Sequence, residues 1–190
     1  DAAKNNVEVR DRVNESCKKI LRHKYLLGLN NYKEQKTDRL YNDLNKNRYY
    51  ALKQRLYNDA ITMLENKKGI LPLKKDNSKK IAVVTFGKDN SVSVKLKENG
   101  IENKAFLMNI NAEEEEIKRT AKQMKSYDYV ILNIRNTSNS PSRNYGITSS
   151  MLDFVKKMPN STKLVFNLFG SPYALDKFHF GKTPHALLIG

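Results

Sequence analysis

Three stretches interrupt an otherwise polar pattern of side chains. Ile81 to Phe86 is an almost unbroken apolar run, rich in β-branched residues and closed by Gly87. Tyr127 to Ile134 and Lys163 to Gly170 repeat the pattern. A strand with one wet face alternates apolar and polar positions, whereas a continuous run closed by glycine predicts a strand covered on both faces. Helix-like segments separate the runs, so the chain reads as βαβ units building one parallel sheet. The expected fold class is α/β: a mostly parallel sheet with helices on both faces (a three-layer α/β/α sandwich), preceded by a helical arm. That architecture hosts many activities and names none.

Upstream of the first strand the period changes. From Val13 through Cys17, Ile20, Leu21 and Tyr25 the apolar positions follow one helical face, and Gly28 sits where a helix stops. Asn30 to Asn47 is polar and weakly patterned, a connecting arm. Tyr49, Leu52, Leu56, Ala60, Met63 and Leu64 recur at three- and four-residue intervals, which predicts an amphipathic helix from about Arg48 to Asn66 ended by Gly69. Ile70 to Leu73 is a short apolar segment in which Pro72 rules out a central strand. Further on, helices are expected over 90–99, 112–126 (capped by Asn111) and from a Thr148 cap to Pro159. Short strands are expected over 105–108 and 186–189. The first turn of the 112–126 helix carries Glu113 to Glu116, favourable to the helix dipole. Consecutive helical positions fan outward, so these glutamates do not converge on a ligand.

Composition changes this picture little. With 190 residues, 39% of them hydrophobic, the chain has room for one domain, or for one domain plus an appendage. The net charge of +15 is uneven: residues 1–80 carry 20 Lys/Arg against 10 Asp/Glu, and the rest 15 against 10. The lysines stand singly or in pairs with no run of five or six, as a solvated surface does. One cysteine, Cys17, allows no internal disulfide, and His23, His179 and His185 share no metal-ligand spacing with it. No apolar run is long enough to span a membrane, and no signal peptide is present. The chain starts inside a charged helical pattern and stops directly after a strand-like run, so both ends read as cut.

The chemistry-bearing motifs are incomplete. Gly87-Lys88-Asp89-Asn90-Ser91 has one glycine, so neither a dinucleotide fingerprint nor a P-loop follows the first strand. Gly170-Ser171-Pro172 is no serine elbow; Ser171 reads as a cap for a short helix with Pro172 at its first position. His179 and His185 have no carboxylate placed by sequence to orient them. The long polar loop Arg135 to Gly146 lies at a strand's carboxyl end, where open α/β sheets place ligands. Arg135, Arg143 and Tyr145 are its candidate substrate-binding residues. No catalytic residue, metal ligand or cofactor site is assigned.

Two segments together resemble glycoside hydrolase family 3. Ile20, Leu21, Lys24, Gly28 and Leu29 match the run that ends the family's last barrel helix. Leu64, Asn66, Leu71, Pro72 and Leu73 match the "Leu-Leu-x-Asn … Leu-Pro-Leu" run that follows, with Met63 where leucine or valine is usual. Phe169-Gly170-Ser171-Pro172-Tyr173 is similar to a turn in the family's second domain, especially in its β-N-acetylglucosaminidase branch. The resemblance implies that residues 1–29 are the terminal helix of a missing (β/α)8 barrel, 30–47 a linker, and 48–190 an α/β sandwich domain truncated at its end. The family's nucleophile, a barrel aspartate, has no counterpart here. In the β-glucosidase branch an acid/base glutamate lies in the loop matched by residues 135–146, which contains no Glu or Asp. This favours the branch that transfers its proton through a barrel His/Asp pair.

The leading expectation is therefore a non-catalytic domain of a glycosidase. Its partners are the missing barrel and, through the parent enzyme, a carbohydrate; no nucleic acid is expected. The resemblance leans towards a periplasmic or extracellular setting. The alternative is a basic module for polyanions or nucleic acid. A third class, a flavodoxin-like receiver, needs acidic groups at the end of the first strand, where only Asp89 and Asp128 are candidates.

Overall fold

The computed structural model describes residues 2–34, 36–181 and 183–190. Its backbone divides after Ala51 into two compact units.

The first unit is helical: α1 (Ala2–Asn5), α2 (Val7–Leu26), α3 (Leu40–Leu44) and the opening turn of α4 (Asn47–Ala60). Asn6 starts α2 by accepting the Val9 N–H on its side-chain oxygen at 3.2 Å. Gly28 ends it in the left-handed region, φ 73°, as a glycine after a helix does. No residue of α2 is buried, and Val13, Ile20 and Leu21 are each more than half exposed. The stretch read as a featureless arm contains the single turn of α3.

The second unit is built on a six-stranded sheet: β1 (Thr62–Asn66), β2 (Ile81–Phe86), β3 (Lys104–Met108), β4 (Tyr129–Ile134), β5 (Lys163–Leu168) and β6 (Ala186–Ile189). The spatial order is β1-β6-β5-β4-β2-β3; all neighbours are parallel except β1, which runs antiparallel to β6. The three apolar runs are the three central strands. One face, carrying Val84, Phe86, Leu132, Ile134, Phe166 and Leu168, packs under α6 (Glu114–Gln123) and α7 (Ser149–Lys156). The other, carrying Ile81, Val83, Ile131 and Val165, packs under α5 (Ser91–Glu98) and the Ile70–Leu73 segment. Helical cover on both faces is the reason these strands are continuous rather than alternating.

One polar row crosses this core. Thr85, Asn133 and Asn167 are register partners on β2, β4 and β5. Asn133, fully buried, donates to Thr85 Oγ1 at 3.1 Å and accepts from Asn167 Nδ2 at 2.8 Å. Slipping any of these strands by one residue would turn an amide into the apolar layer, so the row fixes the register.

The sequence expectation fails at two places. The helix expected from Arg48 to Asn66 stops at Ala60, and Thr62–Asn66 is the edge strand β1. Asn58 and Asp59 compete with helical hydrogen bonding, Ile61 and Thr62 are β-branched, and the edge of β6 supplies the ladder partners. Glu113, not Asn111, stands at the cap position of α6; Asn109 instead accepts the Asn111 N–H at 2.9 Å in the preceding turn.

Candidate functional site

The loops after β2, β3 and β4 meet at the carboxyl end of the sheet around a broad crevice of about 790 Å3, lined by Asp89, Asn109, Ile110 and Asn136 among others. The order of strands explains it: β2 sends its crossover to β3 on one side and β4 lies on the other, so the loops part there.

Arg135, directly after β4, pairs with the Asp89 of this lining. Its Nη1 lies 2.8 Å from Asp89 Oδ2 and 3.2 Å from Ser91 Oγ, and its guanidinium stands 4.8 Å from the Phe169 ring centre. Asp89 Oδ1 accepts the Ser91 N–H at 2.6 Å. Hydrogen bonds from the Ser91 backbone and then its hydroxyl, together with the nearby Arg135 charge, hold the Asp89 carboxyl below the usual aspartate range. Asp89 is thus a fixed anion at neutral pH, unsuited to donate a proton.

The loop behind Arg135 is tightly specified. Asn136, Asn144 and Tyr145 all adopt positive φ, of 61°, 51° and 54°, as does Gly146. The Ser138 N–H donates to Tyr145 O at 2.8 Å and the Tyr145 N–H to Ser140 O at 3.0 Å, while Asn144 Nδ2 donates to Ile147 O at 2.9 Å. Thr137 Oγ1 donates to Phe169 O at 2.7 Å, tying the loop to the turn after β5. At that turn Gly170 has φ 141°, and a Cβ there would overlap the Thr137 hydroxyl and come 2.9 Å from its Cβ. Ser171 occupies a cap position, but its side chain makes no capping bond.

The three candidate residues make their contacts in different directions. Arg135 is committed to Asp89, Ser91 and Phe169. Tyr145 is half-buried and packs against the core under α7. Arg143 is exposed, and its guanidinium has no ion pair or hydrogen bond among the described residues. The Asp89–Ser91 turn was not assigned a role from the sequence; Asp-x-Ser directly after a strand is the signal that marks it. Asp128, the second acid considered for a receiver site, lies at the opposite end of the sheet, accepting the Lys80 N–H at 2.9 Å. His185 is also at that end, where its Nδ1 accepts the Leu164 N–H at 3.3 Å. Among the described residues no cluster of three His, Cys, Asp or Glu side chains is arranged to hold a metal. No helix there is long and apolar enough to cross a membrane.

No protein-family model and no curated protein matches the chain. Solved structures do. A β-glucosidase from Listeria innocua is similar over 88% of this chain and 26% of its own, at 19% identity and a TM-score of 0.62. A glycoside hydrolase family 3 β-N-acetylglucosaminidase from Paenibacillus sp. str. FPU-7 is similar over 77% of this chain and 28% of its own, at 15% identity and a TM-score of 0.53. A fungal multi-domain β-N-acetylglucosaminidase of the same family gives 17% identity and a TM-score of 0.50 over 75% of this chain and 16% of its own. The chain thus spans 16–28% of the length of these enzymes.

Proposed function

We propose that the chain is the second, α/β sandwich domain of a glycoside hydrolase family 3 enzyme of the β-N-acetylglucosaminidase type, with residues 1–29 the last helix of the neighbouring barrel. The domain supports the barrel and lends loop contacts to substrate; it supplies neither nucleophile nor proton donor. One observation carries this reading. The loop after β4, residues 135–146 at the carboxyl end of the sheet, lends Asn136 to the crevice and contains no carboxylate. A retaining glycosidase needs two reacting groups flanking the scissile bond. Asp89, beside the loop, is held below the usual aspartate range by Ser91 and Arg135, so it is no proton donor, and it stands without a second carboxyl in the loop.

Two further features support it. The order of sequence motifs along the chain agrees with the family named by similarity of fold. The exposed apolar stripe of α2 is what a helix from a larger layer presents when that layer is absent. The test is hydrolysis of a chromogenic N-acetylglucosaminide. Residues 1–190 are expected to be inert and a longer chain carrying the upstream barrel to turn over. Hydrolysis by residues 1–190 alone would overturn the proposal.

A further inference from the structure

The lysines of residues 67–80 stand in the sequence as three pairs, Lys67–Lys68, Lys74–Lys75 and Lys79–Lys80, none of them a tract. The fold gathers most of them into one place. At the amino ends of β2, β4 and β5, opposite the crevice described above, lies a cleft of about 550 Å3 lined by Lys67, Lys68, Lys74, Lys79 and Lys163. Ile70, Leu73 and the Tyr129 ring form its apolar wall. Five lysines therefore face one acid, Asp76, whose Oδ1 is already taken by the Ser78 N–H at 2.9 Å and the Ser78 hydroxyl at 2.6 Å.

Neighbouring acids quench only part of this charge. Lys67 pairs with Glu65 at 3.3 Å and Lys79 reaches Asp128 at 3.8 Å. Lys163 sits 4.9 Å above the Tyr129 ring and donates to its hydroxyl at 3.3 Å. Lys68 and Lys74 have no carboxylate partner among the described residues. The loop that carries the first pair is held in shape. The Asn66 amide donates to Leu71 O at 2.9 Å and accepts the Leu71 N–H at 3.0 Å, and the Lys67 N–H donates to His185 O at 2.7 Å. Lys68 is kept at φ 54°, a conformation lysine rarely adopts.

Like charges that line one concavity repel one another, and a bound anion relieves that repulsion. We propose that this cleft binds a compact, multiply charged anion of the oligophosphate class. Its volume suits a small molecule. Lysine binds phosphate as a compact point charge, without the planar fork that arginine offers carboxylate and phosphate alike. A nucleic acid is disfavoured because the lysines line one cleft instead of forming a stripe, and because Lys163 already occupies a face of the aromatic ring. The site is independent of the glycosidase reading, since it lies at the other end of the sheet.

Calorimetric titration of the 190-residue chain with inorganic tripolyphosphate tests it, with circular dichroism confirming that each variant is folded. The expected result is one saturable site that weakens as salt rises. Lys68→Gln with Lys74→Gln, both exposed positions, should weaken it by about tenfold or more, while Lys104→Gln with Lys122→Gln, on distant elements, should change it less than about twofold. Absence of saturable binding, or equal losses in the two variants, would overturn the proposal. So would tighter binding of a single-stranded oligonucleotide than of tripolyphosphate, which would assign the cleft to nucleic acid.

Discussion

Alanine at position 170 should destabilise the turn that ties the loop after β4 to the end of β5. Gly170 has φ 141°, where an L-residue is strained by about 1–3 kcal/mol. The new Cβ would also overlap Thr137 Oγ1 and approach the Thr137 Cβ to 2.9 Å, so the threonine must turn away and give up its 2.7 Å hydrogen bond to Phe169 O. Losing that bond costs about 1 kcal/mol more. The sum, about 2–4 kcal/mol, corresponds to a fall in Tm of about 5–15 °C for a chain of this size. The chain has no tryptophan, so unfolding is best followed by circular dichroism. Thr137→Ala removes the hydroxyl from the collision, so the double variant should lose less stability than the sum of the two single losses, by about 1 kcal/mol or more. A Tm change under about 1 °C for Gly170→Ala, or strict additivity in the cycle, would refute the reasoning.

Asn133→Ala strips the donor from Thr85 and the acceptor from Asn167 inside the sheet, so urea unfolding should show a loss of about 2–4 kcal/mol at unchanged m-value. The Asp89 carboxyl is held below its ordinary value of 3.8 in the folded state, so its contribution to stability is full above that value and lost as pH falls through and below it. Between about pH 6 and about pH 3, Asp89→Asn should therefore lose less stability than the native chain in parallel denaturant titrations. In the longer, barrel-bearing enzyme, Arg143→Ala should raise KM several-fold at little cost to kcat or to stability, because its guanidinium is uncommitted. Arg135→Ala should lower Tm instead, because it strands Asp89.

The central sheet was legible because its strands are buried on both faces, which leaves uninterrupted runs such as Ile81–Phe86 that a helix of the same length would not show. The edge strand β1 was not. Met63 and Leu64 continue the helical spacing of Leu52, Leu56 and Ala60, and only pairing with β6, far along the chain, decides between the two periods. The loop from Arg135 to Gly146 could be placed at a strand's carboxyl end from sequence alone. Its internal geometry could not, since the positive φ of Asn144 and Tyr145 goes with hydrogen bonds closed within the loop, from Ser138 to Tyr145 and from Tyr145 to Ser140, that no apolar period marks. The Asp89–Arg135 ion pair and the meeting of Lys67, Lys68, Lys74 and Lys79 with Lys163 at the other end of the sheet are likewise products of strand order, which no local pattern records.

The central claim, that the reacting carboxylate lies outside these residues, is tested most directly by trapping it. A slow-turnover, ring-fluorinated N-acetylglucosaminyl donor should leave a covalent sugar on the nucleophile of the longer, barrel-bearing enzyme, and peptide mass spectrometry should find it on an aspartate upstream of residue 1. A sugar adduct on any peptide from residues 1–190, Asp89 included, would contradict the account.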